Sequence, residues 1–296
     1  MKKVTIRRII GSLFLILILG GIIFAKMQDA ETSGNTIWRS KGGEVRVHFI
    51  DVGQADCILL QADGENMLID AGNNEDAEKI TAYLHKQGVK TLKYVIGTHG
   101  HEDHIGGLDR VIKEFQIGTL FLPRQSYETA SYGEVLKAVK EKQLLPKVPK
   151  YKEKRNLGNA NFLFITPDGE GDYEELNDSS IGIRFINGKH SFLLCGDISY
   201  HMERQLLKSR VYLHCDVLKV SHHGSSDTSS FGFLKKAAPR YAVISCEKDN
   251  DFGHPHQRTL EKIKKLEIQL FRTDEQGTII FRSDGNRLTC NVNPIS

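Results

Sequence analysis

Between Thr98 and Gly107 the chain reads T-H-G-H-E-D-H-I-G-G, so His99, His101, Asp103 and His104 fall within six residues. Crowding of metal-ligand types on this scale demands a backbone that aims them at one place, such as a strand end turning into a helix. In an extended segment side chains alternate faces, so His99 and His101 point the same way. Asp103 and His104 follow at the turn, where Gly106-Gly107 and the apolar positions Leu108, Val111, Ile112 and Phe115 announce a helix. One loop of this kind feeds two adjacent ions. His99 and His101 are expected to hold one and Asp103 and His104 the other, because imidazole suits zinc, manganese or iron and a carboxylate adds charge that favours a second cation. The expected cofactors are two divalent ions, zinc first and manganese second.

The first 26 residues differ from the rest: Lys2, Lys3, Arg7 and Arg8 precede an uncharged run of 17 residues, Ile9 to Ala25, broken only by glycines and one serine. That run lies at the short end of the roughly 17–25 residues needed to span a bilayer and exceeds a typical signal h-region of about 7–15. No convincing A-x-A cleavage site follows, so residues 1–26 read as a signal-anchor in preference to a cleaved signal peptide. The basic leader places the N-terminus inside, which makes the remaining chain extracytoplasmic, membrane-anchored or secreted. Residues 27–43 read as a polar linker and residues 44–296 as one large domain.

The formal net charge of +3 is not a property of that domain: residues 41–296 carry 34 Lys/Arg against 35 Asp/Glu. A neutral domain argues against tight non-specific binding of duplex DNA, without excluding cleavage of nucleic acid at a metal centre. One local exception is the basic stretch Lys137–Arg155, either a solvated helix and loop or a phosphate-binding rim. The five cysteines, Cys57, Cys195, Cys215, Cys246 and Cys290, are dispersed and form no C-x-x-C, so they read as small buried hydrophobes and not as a metal framework.

Alternation at Val45–Ile50 and the apolar runs at 57–60 and 67–69 predict an antiparallel opening. A helix over 75–87 follows, then a strand at 94–96 that delivers the histidine cluster. Further strands are expected at 162–165, 181–186, 191–194, 217–220, 241–245 and 278–282, and helices near 132–142, 200–207, 231–237 and 256–265. This alternation implies an α/β domain of two sheets between helices. Asp70, at a strand end, suits a carboxylate that orients a ligand imidazole, or a turn before Gly72. Asp197 ends another apolar strand and suits a bridge between the ions, or a cap before Ser199. His222 and His223 end a third strand, and one of them would complete the second metal. His254 and His256, in F-G-H-P-H, offer an acid, a substrate contact or a helix cap. Asn177 and Asp178 precede a strand where the first metal needs another ligand.

Together V-H-F-I-D-V-G-Q-A-D, M-L-I-D-A-G, T-H-G-H-E-D-H-I-G-G-L, N-D-S-S, L-L-C-G-D, L-K-V-S-H-H-G-S and G-H-P-H resemble the metallo-β-lactamase superfamily, and within it the exported hydrolase domain of ComEC-type competence proteins and its stand-alone relatives. The resemblance covers about residues 44–292. It implies an αββα four-layer sandwich with a dinuclear site at one sheet edge, and metal-ligand roles for His99, His101, Asp103, His104, Asp197 and His222, with His223 as the alternative. Where the superfamily commonly has a histidine between the first and the bridging-aspartate motifs, this chain has Asn177-Asp178. The multispan channel of competence proteins is not seen, so the expectation is a protein that processes a polymer and does not conduct it.

Two ions about 3.5–4 Å apart would supply a bridging hydroxide to attack phosphorus or carbonyl carbon. Asp103 and Asp197 are the expected catalytic carboxylates, with His223 or His254 as proton donor to the leaving group. Ser225, with its neighbours Ser226, Thr228 and Ser229, and His256 are the expected substrate contacts. The favoured reaction is hydrolysis of a phosphodiester, in DNA or in a cell-surface polymer such as teichoic acid. Alternatives are a lactamase or lactonase, or a non-catalytic competence or surface-binding module. Beyond the substrate and the membrane, no obligate protein partner is expected.

Overall fold

Period-2 apolar alternation builds the centre of the molecule. In β1 (Val45–Phe49) the inward residues Val45, Val47 and Phe49 are buried; they join Ile58 and Leu60 of β2 (Ile58–Ala62) and Met67 and Ile69 of β3 (Glu65–Ile69). They meet Phe162 and Phe164 of β7 (Ala160–Thr166), Ile183 and Phe185 of β8 (Gly182–Asn187), and Phe192 and Leu194 of β9 (His190–Leu194), so this core lies between two sheets. The computed structural model describes Ser40 and residues 42–124, 128–167, 173 and 175–295. The expected signal-anchor lies outside the described residues, as does all of the linker but Ser40, Gly42 and Gly43. Among the described residues no helix is long and apolar enough to cross a membrane.

β4 (Thr91–Ile96), β5 (Gln116–Phe121), β13 (Ile279–Ser283) and β14 (Leu288–Cys290) complete a seven-stranded sheet of order β14-β13-β1-β2-β3-β4-β5. β6 (Lys154–Leu157), β10 (Val217–Lys219), β11 (Tyr241–Ile244) and β12 (Gln269–Arg272) complete a second, of order β12-β11-β10-β9-β8-β7-β6. The outer face of the first sheet, with Leu59, Leu68 and Val95, packs against α1 (Ala77–Lys86), α3 (Leu108–Glu114) and α4 (Ala130–Glu141). Further helices α5 (Tyr200–Lys208), α6 (Phe231–Ala237) and α7 (Gln257–Lys265) follow strands of the second sheet, bury Met202, Leu206, Phe233, Leu234 and Ile263, and complete the expected α/β sandwich. The strand predictions correspond to ten observed strands; the unannounced β5, β6, β12 and β14 are the four sheet edges.

Each sheet has a parallel half, β3-β4-β5 in the first and β9-β10-β11-β12 in the second. Ligands of open α/β sheets sit outside the carboxyl ends of such strands. Asp70 follows β3, the histidine cluster follows β4 through α2 (Glu102–Ile105), Asp197 follows β9, and His222-His223 follow β10.

Gly106 and Gly107 let the loops after β3 and β4 touch. Ala71 N–H donates to His104 O at 2.7 Å and Gly107 N–H to Ala71 O at 3.1 Å. A Cβ on Gly106 would stand 2.3 Å from Asn74 N, and one on Gly107 2.4 Å from Ala71 O, both backbone atoms that cannot swing away. Gly106→Ala should therefore cost about 1–3 kcal/mol as an overpacking change. A urea midpoint unchanged from wild type would refute this account of the loop contact.

Candidate metal centre

Asp103, His104, Asp197 and His223 each offer one ligand atom, and these atoms lie within 4.8 Å of one another. They come from loops of both sheets. His104 Nε2 is 3.1 Å from Asp197 Oδ2 and 3.8 Å from Asp103 Oδ2; His223 Nε2 is 3.0 Å from Asp103 Oδ2 and 3.5 Å from Asp197 Oδ2.

The opposite ring nitrogens are pinned. His223 Nδ1 lies 2.9 Å from the Ser245 carbonyl, which only accepts, so Nδ1 carries the proton and Nε2 presents its lone pair to the carboxylates. His104 Nδ1 donates to Asp70 Oδ2 at 2.8 Å, and Asp70 is itself held by the Thr98 N–H and hydroxyl, each at 2.8 Å. The buried His104 Nε2 has no aligned hydrogen-bond partner. Lone pairs facing carboxylate oxygens at these distances repel unless a positive charge lies between them. A divalent cation fits that requirement, and so does a proton. Burial pushes the His104 imidazole down, but Asp197, Asp103 and Asp70 more than reverse this and hold it well above its ordinary value. Burial raises Asp197, and His104 and His223 overcome it to hold the carboxyl well below the usual range; Asp103 is lowered in the same way. Protons and metal compete for one place, so loading the centre releases protons.

His99 and His101 stand beside this group. His99 Nε2 is 2.9 Å from His101 Nδ1, and the His99 and His104 rings are 4.2 Å apart. Burial, followed by the neighbouring His104, holds His99 far below its ordinary value and therefore neutral. Two converging imidazole nitrogens supply a second pair of donors.

The structure revises several expectations. His223 joins the ligand group and His222 does not: His222 instead donates its backbone N–H to Asp197 Oδ1 at 2.9 Å, with its ring 5.5 Å from that of His254. Both residues have φ +51°, and this left-handed turn, unusual for non-glycine residues, sends consecutive side chains to different places. With Nδ1 on a carbonyl and Nε2 in the group, His223 is a ligand candidate and not a proton donor. Asn177 and Asp178 are likewise not brought to the group; Asp178 Oδ2 lies 3.2 Å from His201 Nδ1, although each residue keeps one buried oxygen without a partner. Ser180 lies behind the group, its hydroxyl accepting from Asp197 N–H at 3.3 Å and standing 3.4 Å from His99 Nδ1, the ring nitrogen opposite the one that faces His101. Ser225, Thr228 and Ser229 are no more than 3% exposed; the Ser225 hydroxyl accepts from Asp227 N–H at 3.4 Å and the Thr228 hydroxyl donates to Ser221 O at 3.0 Å, so these hydroxyls are spent on building the loop. His256 braces the same loop, its Nδ1 accepting from Ser226 N–H at 2.9 Å at the start of α7.

His254 lies beside the group, its ring stacked 6.3 Å from that of His223. The Gln54 carbonyl accepts from Glu247 N–H, which orients its amide NH2 toward His254 Nδ1 at 3.3 Å. Nδ1 therefore accepts and Nε2 carries the proton. Burial and the imidazoles of His222 and His223 lower His254 to about 4, so at neutral pH it is an uncharged N–H donor.

One buried feature escaped the motif reading. Lys219, fully buried, pairs through Nζ with Asp56 Oδ2 at 2.7 Å and donates to Val220 O at 3.0 Å, while Asp56 Oδ1 lies 3.7 Å from His223 Nδ1. The signal was a single charge inside V-L-K-V, since a lysine buried in a strand must be paired. Asp56, Asp70 and His104 also group closely, but Asp56 is taken by Lys219 and Asp70 by Thr98 and His104, so they form a supporting layer.

Residues 50–247 match the profile of the metallo-beta-lactamase superfamily. The chain belongs to the metallo-beta-lactamase superfamily. Among curated proteins it is 28% identical to ComE operon protein 3 of Bacillus subtilis over 87% of this chain and 35% of that protein. It is 27% identical to competence protein ComA of Neisseria gonorrhoeae over 80% of this chain and 32% of that one. The chain thus spans about a third of the length of these relatives. Among solved structures, the metallo-beta-lactamase fold protein YhfI of Bacillus subtilis superposes with a TM-score of 0.55 at 13% identity, over 82% of this chain and 100% of the other. Asp103, His104, Asp197 and His223 all fall inside the metallo-beta-lactamase match; His254 and His256 lie beyond it.

Proposed function

We propose that this protein is an extracytoplasmic, metal-dependent phosphodiesterase that acts on DNA or a cell-surface phosphodiester. The observation that carries the reading is the convergence of two pinned imidazoles and two carboxylates on one buried point, with His99 and His101 alongside. The superfamily membership and the likeness to ComE operon protein 3 and ComA support it, and the basic leader before an apolar run supports placement outside the cytoplasm. Asp103, His104, Asp197 and His223 would hold one divalent cation and His99 and His101 a second, zinc being the first expectation for imidazole and carboxylate donors. When bound, such a pair activates water and polarises a phosphoryl oxygen. The chain's own part is positional. Asp70 and the Ser245 carbonyl fix the ring orientation of His104 and His223, His222 N–H holds Asp197, and His254 presents an N–H toward the leaving oxygen.

The test is metal analysis of the purified full-length chain together with hydrolysis of bis(p-nitrophenyl) phosphate by wild type and Asp103→Asn. About two equivalents of metal, with activity lost in the variant, is the expected result. Metal without phosphodiester cleavage would shift the reading to lactams or lactones, and a chain that binds no metal would overturn it. His254→Ala should leave metal content unchanged and lower kcat about 10²-fold, the scale for removing one preorganised donor. A kcat within twofold of wild type would remove His254 from the reaction.

A further inference from the structure

Beyond the metal loops lies a cleft of about 750 Å³ that neither the superfamily match nor the site described above assigns. It begins where both ligand loops end: Tyr200 stands three residues after Asp197, and Ser226 three after His223. On α5, Tyr200 and Arg204 are four residues apart, and on α7 Arg258 and Lys262 share that spacing, so each helix turns a matched pair into the cleft. Phe231, at the start of α6, lines the same cleft. Tyr200 is 53% exposed and Phe231 37% exposed, unusual for aromatic rings in a domain whose other phenylalanines are mostly core. The Phe231 ring also has Lys265 Nζ at 5.5 Å and Lys235 Nζ at 5.7 Å. Arg204 and Arg258 are exposed, and neither has a carboxylate partner among the described residues; Asp227 is the one acid lining the cleft. Free arginines beside exposed rings, concentrated in a neutral domain, match the phosphates and the flat faces of unpaired bases. A glycerol- or ribitol-phosphate polymer has charge but nothing to stack.

We propose that this cleft is a subsite for single-stranded nucleic acid, which anchors the strand whose scissile phosphate lies at the metal centre. The proposal rests on the phosphodiesterase reading for its direction, though not for its test. The measurement is fluorescence anisotropy of a labelled 12-nucleotide oligo-dT with the full-length chain in EDTA, where no cleavage occurs. Arg204→Glu/Arg258→Glu should weaken binding about tenfold or more and reduce the slope of log affinity on log salt by about 1.4, the value for two lost single-strand contacts. Tyr200→Ala/Phe231→Ala should weaken binding about fivefold or more with the salt slope unchanged. Hydrolysis of bis(p-nitrophenyl) phosphate, too small to reach the cleft, should be the same in all three proteins. Equal oligo-dT affinity in wild type and both variants overturns the proposal. So does binding of poly(glycerol phosphate) as tight as that of oligo-dT and indifferent to loss of the rings. If the wild type fails to cleave the small ester while the variants lose oligo-dT, the cleft stands and the phosphodiesterase reading falls.

Discussion

Asparagine in place of Asp197 should lower hydrolysis by about 10³-fold or more and reduce the bound metal from two equivalents toward one. The substitution keeps the acceptor for His222 N–H and the volume of the side chain, so the loop should hold its shape. What disappears is the negative charge that both His104 Nε2, at 3.1 Å, and His223 Nε2, at 3.5 Å, face across the centre. A thousandfold loss corresponds to about 4 kcal/mol of transition-state stabilisation, within what a metal centre supplies. Metal analysis and kcat measured on the same preparation decide it. A variant that retains both cations and runs within tenfold of wild type would mean that the charge of Asp197 is not needed to hold the cation.

The second large effect is on stability. Lys219→Met removes the cation from a fully buried pair and leaves Asp56 charged and unmatched in the interior, at an expected cost of about 3–5 kcal/mol. Lys219→Met/Asp56→Leu should recover much of this, because an apolar pair has no desolvation penalty to offset. Urea denaturation of the metal-free protein separates the two variants. A single-variant loss below about 1 kcal/mol would show that water reaches the pair. The same pair braces the centre from below, since Asp56 Oδ1 approaches His223 Nδ1 at 3.7 Å. Lys219→Met is therefore expected to weaken metal retention as well as the fold.

The ligand-bearing positions were legible because each is a polar residue directly beyond an apolar run: Asp70 after M-L-I, Asp197 after F-L-L-C-G, and His222-His223 after V-L-K-V-S. Apolar runs mark strands buried on both faces, and the loops at their carboxyl ends carry the chemistry. The unread strands have the opposite character. Gln116–Phe121 and Lys154–Leu157 bury few of their residues, because an edge strand need not be covered on both faces, and a pattern search finds little there. The choice between His222 and His223 could not be read either. It depends on the left-handed turn they share, which the surrounding structure imposes and neighbouring residues do not announce. Ser180 was missed for a related reason: a serine at a strand start has many uses, and it is the pairing of β8 with β9 that sets it beside Asp197 and the approach of the other sheet that brings His99.

β1 pairs with β13, and β13 with β14, so the first and last strands of the sandwich lie two strand spacings apart, about 10 Å, although more than two hundred residues separate them. Val45 is level with Ser283, and Ser283 with Leu288. Both β1 and β14 run antiparallel to β13, so strands from the two extremes of the described sequence share one sheet and lie side by side with β13 between them; removing β13 and β14 would bare β1 as an open edge.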